Sequence, residues 1–243
     1  MTPPPRAARR IDGDFVVVTC EHGGNRIPAE YAIHFRGWQP VLSTHRGFDA
    51  GALVMARELG LALRAPVVAS TVSRLLVDLN RSLSNPRAWS AATGVLPPDV
   101  RRRIARRHYT PYRDRVMALV ANAIAAGRRV VHISSHSFTP VLDGDVRTAD
   151  VGLLYDPARS GEKAFAERWQ AAFAAEAPAL RVRRNYPYAG RDDGLTSYLR
   201  GRFPATRYLG IELEFNQSFA LGAAGPWRQL RRSAVATLLK VLR

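Results

Sequence analysis

The sequence predicts a single α/β domain with a largely parallel central sheet flanked by helices. Its 243 residues suit one compact domain. Short runs of β-branched residues alternate with segments of helical periodicity, which is the order expected for a parallel sheet. No repeat or linker marks an internal boundary. We therefore expect a disordered basic arm over residues 1–12 and one domain over residues 13–243.

Strands are predicted where a short apolar run ends in polar residues. The first run has the sequence FVVVTC and ends at Glu21 and His22. A later run, VVHISS, ends in the same way at His136. Ligands of an α/β sheet gather beyond the carboxyl ends of its strands, so both histidines are candidates for a site. The predicted strands and extended segments are residues 15–20, 67–71, 75–81, 130–135, 151–155 and 208–215.

Helices are predicted from apolar residues that recur at intervals of three and four. Asp49 falls in the first turn of the first such segment, where the helix dipole favours an acid. Gly127 is the expected end of a second, longer helix that carries many arginines. The predicted helices are residues 48–64, 97–126, 160–176, 194–201 and 225 to the C-terminus.

The chain is strongly basic, with a formal net charge of +16 at pH 7. Of its 36 basic residues 34 are Arg and 2 are Lys, with clusters at residues 101–107 and 181–184. No nucleic-acid-binding motif accompanies them, which favours a solvated Arg-rich surface over a nucleic-acid partner. A few of these arginines are expected to serve an anionic small molecule. An RNA-associated protein remains the alternative of another class.

Several classes are excluded by composition. No apolar run approaches the roughly 18 residues that span a bilayer, so we expect no membrane partner. The basic N-terminus does not lead into an apolar stretch, so it lacks the form of a secretory signal. Cys20 is the sole cysteine, which excludes an intrachain disulfide and a multi-thiolate zinc site. A cytoplasmic location is the expectation.

His22 and His136 are candidate metal ligands because small residues next to them leave room for a ligand. His132 lies inside its strand and is expected to be a core residue. Catalytic zinc commonly has three protein ligands, so two histidines need one carboxylate. Asp49 and Asp78 also have structural interpretations, the first as a helix N-terminal acid and the second as a partner of Arg81 or Arg74. The carboxylate candidates are Glu21, Asp49, Asp78, Glu212 and Glu214.

Glu212 and Glu214 share one face of a predicted strand because they are two residues apart. Two carboxylates near a cation are useful, since a buried Glu can accept a proton from water and return it to a leaving amine. The competing interpretation is a strand face turned to solvent.

Five motifs, in chain order, resemble those of the N-formylglutamate amidohydrolase family. The resemblance covers roughly residues 15 to 217. The family's fold is similar to that of zinc-dependent exopeptidases, a mixed-sheet α/β architecture of the phosphorylase/hydrolase type. It implies a catalytic domain over residues 13–243. The motifs are TCEHGGNRIP at 19–28, GFDAGA at 47–52, SRLLVDLNR at 73–81, HSF at 136–138 and GIELEFNQ at 210–217.

The resemblance implies a role for each residue that matches a motif. His22 and His136 would bind one zinc ion, and Glu214 matches the general base of carboxypeptidases. Arg74 would polarise the amide carbonyl or hold a second carboxylate. Asn80 and Arg81 would clamp the α-carboxylate of the substrate, and Glu212, the neighbour of Glu214, would be support.

The third metal ligand departs from the carboxypeptidase pattern. Carboxypeptidases place a Glu three residues after the first His, whereas this chain has Asn25 there. Asp49 is the expected substitute because its motif belongs to the family pattern, and Glu21 stays open. A loop at residues 185–196, rich in hydrogen-bonding groups, is either a specificity loop or an ordinary connection. In the first case Arg191, with Tyr186 and Tyr188, would meet the substrate side chain.

These observations predict a zinc-dependent hydrolase of linear amide bonds. By resemblance it removes a short N-acyl group, formyl, from an acidic amino acid such as N-formyl-L-glutamate. A carboxypeptidase-like or other N-acyl-amino-acid hydrolase would use the same groups. A ligand-binding protein without catalysis is a further alternative.

Overall fold

The computed structural model describes residues 13–243, and at its centre is a six-stranded sheet in the order β2-β1-β3-β8-β6-β7. The predicted basic arm lies outside the described residues. The sheet strands are β1 (Asp14–Cys20), β2 (Val67–Ala69), β3 (Arg129–Phe138), β6 (Val151–Leu154), β7 (Val182–Arg184) and β8 (Tyr208–Asn216). Two short strands, β4 (Val141–Leu142) and β5 (Asp145–Val146), form a separate antiparallel hairpin.

Four neighbouring strands of the sheet, β2, β1, β3 and β8, are mutually parallel. Strand β6 runs antiparallel to β8, and β7 is parallel to β6, so the sheet is mixed and mostly parallel. In the register of β3 with β8, Ser134 pairs with Glu212 and His136 pairs with Glu214. The predicted fold class is therefore confirmed, and the pairing already brings two sequence candidates side by side.

Helices cover both faces of the sheet. Those of one or two turns are α1 (Gln39–Leu42), α3 (Ala91–Gly94), α4 (Pro98–Ile104), α7 (Leu195–Arg200) and α8 (Gln217–Leu221). The longer ones are α2 (Ala52–Leu63), α5 (Thr110–Ala125), α6 (Ser160–Glu176) and α9 (Ala224–Val241). A π-helical turn, Ala105–Tyr109, joins α4 to α5, and 3₁₀ turns occupy Ala29–Phe35 and Pro86–Ala88.

The alternation of side chains along β1 explains the two cores. Val16 and Val18 face a core built with α2, α6 and α9, in which Trp169 is fully buried. Val17 faces the opposite core, which α5 and α7 complete. Burying a large apolar side chain stabilises the fold by about 1.5–3 kcal/mol, so both layers hold the central strands firmly.

Three local predictions were wrong, two in an element boundary and one in the type of element. Helix α2 begins at Ala52 instead of residue 48, because Gly51 has a φ of +83° and an added Cβ would lie 2.6 Å from Ala220. Asp49 therefore precedes the helix. Residues 75–81 form turns instead of an extended segment, and β3 continues through His136.

A minority of the surface arginines form ion pairs with acidic residues. Arg107 contacts Glu30 at the π-helical turn, Arg181 lies 3.1 Å from Asp150, and Arg184 contacts Glu167 at 2.6 Å. Exposed pairs of this kind add little stability. Within residues 13–243, none of the helices has the combination of length and apolar composition that a bilayer crossing requires.

Candidate active site

The carboxyl ends of three parallel strands bring the candidate residues together. His22 follows β1, His136 lies near the end of β3, and Glu214 lies beside His136 on β8. The turn before α2 adds Asp49, whose backbone N–H donates to the carbonyl oxygen of His22 at 2.9 Å. The imidazole centroids of the two histidines are 5.0 Å apart. Residues far apart in sequence thus share one buried edge of the sheet.

Asp49 lies between the two histidines. Its Oδ2 atom is 3.3 Å from Nδ1 of His22 and 2.9 Å from Nδ1 of His136. All three side chains are buried, and one potential ligand atom from each lies within 4.8 Å of the others. Two imidazole nitrogens and a carboxylate oxygen are a donor set that zinc accepts, with a further position left open. The residues present therefore fit a metal ion.

The outward-facing nitrogen of each imidazole meets a second buried carboxylate. Nε2 of His22 is 2.7 Å from Oδ1 of Asp78, and Nε2 of His136 is 3.0 Å from Oε2 of Glu21. A proton held on Nε2 leaves the Nδ1 lone pair free to bind a metal ion. Carboxylate partners of this kind orient the histidine ligands in metalloenzymes. This is a second observation in favour of a metal site.

Glu21, the open alternative for the third ligand, lies behind His136 on the side away from Asp49. Its Oε1 accepts a hydrogen bond of 2.7 Å from the Tyr112 hydroxyl, and its Oε2 accepts one of 2.7 Å from Ser134. Burial opposes ionisation, but His136 and Ser134 hold the pKa of Glu21 well below its usual range. Both oxygens are thus engaged, and Glu21 is outside the cluster of possible ligands.

Arg74 connects the two carboxylates that flank His22. Its Nη1 lies 3.3 Å from Asp49, and its Nε and Nη2 donate to Oδ2 of Asp78 at 3.1 and 2.7 Å. Despite burial, the arginine and His22 hold the pKa values of both aspartates well below their usual range. The guanidinium is about a quarter exposed, so part of it faces the cavity.

Glu214 is buried, and its Oε2 atom has no hydrogen-bond partner among the described residues. Burial, with further contributions from Asp49 and Glu212, raises the pKa of Glu214 to about 8, although His136 opposes the shift. A buried carboxylate without a structural partner is unusual and is typical of a functional group. It can exchange a proton near neutral pH.

Comparison with known proteins identifies the family. A model of the family described as N-formylglutamate amidohydrolase matches residues 15–221. The chain belongs to the N-formylglutamate amidohydrolase family. Membership makes it an amidohydrolase, an enzyme that hydrolyses amide bonds. No match was found among curated proteins.

Two solved structures support this family fold. The gene product Atu2144 from Agrobacterium tumefaciens is 32% identical and superposes with a TM-score of 0.80, covering 95% of this chain and 91% of that one. The N-formylglutamate amidohydrolase from Ralstonia eutropha JMP134 is 18% identical, with a TM-score of 0.65 over 95% of this chain and 94% of that one. At that identity the second protein supports the fold alone.

The Asn80-Arg81 segment of this amidohydrolase-family chain is held beside the start of α7. Oδ1 of Asn80 accepts a hydrogen bond of 2.7 Å from the backbone N–H of Leu195, and Nη1 of Arg81 donates to the carbonyl of Asp193. The carboxylate of Asp78 accepts hydrogen bonds from Arg74 and from the backbone of Asn80. Of the two partners that the sequence suggested for Asp78, the structure pairs it with Arg74, and the Arg81 side chain turns to Asp193.

Glu212 and Glu214 both line one cavity of about 160 Å³, which confirms that they share a face. Oε1 of Glu212 accepts a hydrogen bond of 2.6 Å from Thr196, which ties β8 to α7. The structure does not bring Arg191 into this cavity, and its side chain is exposed, whereas Tyr188 from the same loop is at the wall. The cavity is lined by His22, His45, Asp49, Arg74, Asn80, Arg81, His136, Ser137, Phe138, Thr139, Tyr188, Ala189, Asp192, Asp193, Glu212 and Glu214.

Sequence reasoning missed the residues that support the ligands. Tyr112 and Ser134 bind Glu21 across 91 and 113 residues of sequence, and no local pattern marks such a contact. His45 lines the cavity from an irregular segment before the GFDAGA motif. The sequence predicts Asp78 only as a ligand or an ion-pair partner. Its place in a motif with Arg74 was the one available indication that it serves the site.

Proposed function

We propose that this protein is a zinc-dependent amidohydrolase that removes a short N-acyl group from an acidic amino acid. N-formyl-L-glutamate is the proposed substrate, in keeping with the family description. The observation that carries the proposal is the convergence of His22, Asp49 and His136 next to the unpartnered carboxylate of Glu214. Formate and the free amino acid would be the products.

His22 and His136, through Nδ1, and Asp49, through a carboxylate oxygen, would hold the metal ion. When bound, zinc supplies Lewis-acid polarisation of a carbonyl and lowers the pKa of a water ligand to about 7. Asp78 and Glu21 would accept hydrogen bonds from Nε2 of the two imidazoles and so orient each Nδ1 towards the metal position. Tyr112 and Ser134 keep Glu21 in place for this task.

Glu214 is the proposed general base and acid. It accepts a proton from the attacking water and delivers it to the amide nitrogen that leaves. Its register position beside His136 puts the carboxylate next to the proposed ligands. Its free Oε2 atom makes no contact that would have to break before a proton is transferred.

Arg74 is the proposed electrophile for the carbonyl oxygen. Its guanidinium faces the cavity while Asp49 and Asp78 fix its plane. A donor that is already oriented stabilises the negative charge that develops on the substrate oxygen without further reorganisation. Anchoring by two carboxylates makes Arg74 rigid enough for that role.

Arg81 and Asn80 are proposed to bind the α-carboxylate of the substrate. An arginine fork matches a planar carboxylate in a bidentate pair, and the amide nitrogen of Asn80 can add a third donor. Asp193 and Leu195 hold this pair at the cavity wall. Glu212 acts as support, because it fixes Thr196 at the start of α7.

The test combines metal quantification with a screen for amine release. The protein is purified without added zinc, and its metal content is measured per chain. It is then reconstituted and assayed with N-formyl, N-acetyl and dipeptide substrates that share one amino acid. We expect about one ion per chain and the fastest release from N-formyl-L-glutamate.

Each alternative has its own outcome in that screen. Preferred release from dipeptides would make the enzyme carboxypeptidase-like and contradict the proposed substrate. Tight binding of N-formyl-L-glutamate with no bound metal and no turnover would make it a ligand-binding protein. If the protein neither binds a metal ion nor hydrolyses any of these substrates, salt-sensitive binding of RNA would support an RNA-associated protein.

A further inference from the structure

Arg147 is a buried cation that the proposed chemistry does not use. Its residue is 7% exposed, and it makes no ion pair with an acidic residue within residues 13–243. Its backbone N–H donates to the carbonyl oxygen of Pro140, and its carbonyl oxygen accepts from the side-chain amide of Asn216. Burial of a charge without a counter-charge is costly, so a position of this kind calls for a compensating contact.

The contact that Arg147 makes leads directly to the cavity. Its Nη1 donates a hydrogen bond of 2.9 Å to the hydroxyl oxygen of Tyr188, and its guanidinium lies 4.9 Å from the centroid of that ring. The guanidinium also lies 6.0 Å from the ring of Phe138. Both Tyr188 and Phe138 line the cavity. Arg147 therefore lies behind two side chains of the cavity wall and does not line the cavity itself.

The direction of that hydrogen bond determines what Tyr188 can offer. A guanidinium can only donate, so the phenol oxygen is the acceptor and its own O–H proton remains available. Donation by a charged group polarises the phenol and strengthens it as a donor. Among the described residues, the Tyr188 hydroxyl accepts from Arg147 and donates to no protein group. An anionic acceptor inside the cavity would complete the chain of hydrogen bonds.

The two arginines that line the cavity, Arg74 and Arg81, already have other roles. Arg74 is paired with Asp49 and Asp78, and Arg81 is the proposed clamp for the α-carboxylate. A substrate with a second carboxylate therefore needs a separate source of positive charge. Arg147 can supply that charge through Tyr188, because its guanidinium donates to the hydroxyl of this residue at the cavity wall.

We infer that Tyr188, polarised by Arg147, forms the subsite for the side-chain carboxylate of an acidic substrate. This inference rests on the proposed function and extends it by naming the residues that select the amino acid. Tyr188 is the contact residue, and Arg147 is a positioning residue that acts through it. The exposed Arg191, which the sequence suggested for this task, would have no part in it.

Two substrates that differ only at the end of the side chain test the inference. N-formyl-L-glutamate and N-formyl-L-glutamine are compared by kcat/KM with the metal-loaded enzyme. Hydrogen bonds to a charged group lead us to expect the wild-type protein to prefer glutamate by roughly 10- to 100-fold. Tyr188→Phe and Arg147→Gln should each bring that ratio close to one, mainly through a higher KM for glutamate.

A matched control is available in a second arginine that lies over a tyrosine outside the cavity. Arg183 is exposed and lies 5.0 Å from the ring centroid of Tyr186. Arg183→Gln removes the same charge and should leave the substrate ratio unchanged. If Arg147→Gln fails to fold, Tyr188→Phe decides alone, since it removes one oxygen from a partly exposed ring.

The inference is overturned if the wild-type ratio is close to one or if Tyr188→Phe retains the wild-type ratio. If Arg147 has only a structural role, Arg147→Gln should lower kcat/KM equally for both substrates. That result would also contradict the inference. Failure of the proposed function is distinguishable, because neither substrate would then be hydrolysed. The dissociation constants of the same two compounds, measured by calorimetry in wild type and Tyr188→Phe, would still support or overturn the subsite.

Discussion

Nε2 of His22 lies 2.7 Å from Oδ1 of Asp78, a buried carboxylate that contacts two parts of the site. The same carboxylate accepts two hydrogen bonds from Arg74 and one of 2.9 Å from the backbone N–H of Asn80. It thereby joins a candidate metal ligand to the segment proposed to bind substrate. Loss of this single charge should therefore affect metal binding first.

Asp78→Asn is expected to weaken zinc binding by roughly 10- to 100-fold, because the neutral amide orients His22 less firmly. The dissociation constant for zinc can be measured by competition with a chelator. Asp150→Asn is the matched control, since Asp150 pairs with Arg181 just before β6 and β7 and does not line the cavity. An unchanged zinc affinity in Asp78→Asn would show that this contact does not support a metal ligand.

Glu214→Gln tests the proposed general base. The amide keeps the size of the side chain but cannot accept a proton at neutral pH. Turnover should fall by at least about 10²-fold, while metal content and substrate affinity change little. Steady-state kinetics and metal analysis of one preparation measure all three. Near-normal turnover would assign the role elsewhere, and Glu212→Gln would be the next variant to assay.

Arg81→Lys tests the proposed carboxylate clamp. Lysine keeps the charge but loses the planar fork, so kcat/KM for N-formyl-L-glutamate should fall by roughly tenfold or more. Discrimination against the analogue with an α-carboxamide should largely disappear, while the unfolding temperature stays close to that of wild type. A lowered unfolding temperature with the wild-type preference intact would mean that Arg81 only holds the Asp193 loop.

The sequence predicted the strand ends and the convergence of His22, Asp49 and His136 better than it predicted the local backbone around them. Strand ends are visible in composition, because a buried run stops where polar residues begin. The turns at residues 75–81 are apolar enough to imitate a strand, since they pack Leu76 and Val77 into the core. The start of α2 depends on contacts of Gly51 with Ala220, which lies far away in the sequence.

The supporting contacts could not be predicted because they depend on side-chain directions across the sheet. Glu21 follows β1, and whether it faces the metal position or the back of His136 is decided by Tyr112 on α5 and Ser134 on β3. The pairing of Arg147 with Tyr188 likewise joins two loops across 41 residues of sequence. Hydrophobic patterning specifies which residues are buried, but it does not specify their polar partners.

His132 should make stability depend on pH. Its imidazole is buried between Thr19 and Tyr208, and burial lowers its pKa from the usual 6.5 or so to about 4. The folded state therefore keeps His132 neutral, whereas the unfolded chain takes up a proton below about pH 6.5. Stability from this residue is present above that pH and is lost as the pH falls towards 4.

His132→Gln isolates this contribution. The difference between the two pKa values corresponds to about 3 kcal/mol. The stability advantage of wild type over the variant should shrink by up to about that amount between pH 7 and pH 4. Urea unfolding at both pH values measures it. An advantage that is constant with pH would mean that His132 has the same protonation in the folded and unfolded chains.

A zinc titration of the metal-free protein tests whether His22, Asp49 and His136 bind one metal ion. Calorimetry should give one tight site per chain in wild type and no such site in Asp49→Ala, with Glu162→Gln as a control for a buried acid outside the cavity. Equal zinc binding by Asp49→Ala and wild type, or no stoichiometric binding by wild type, would show that these three residues do not form a metal site.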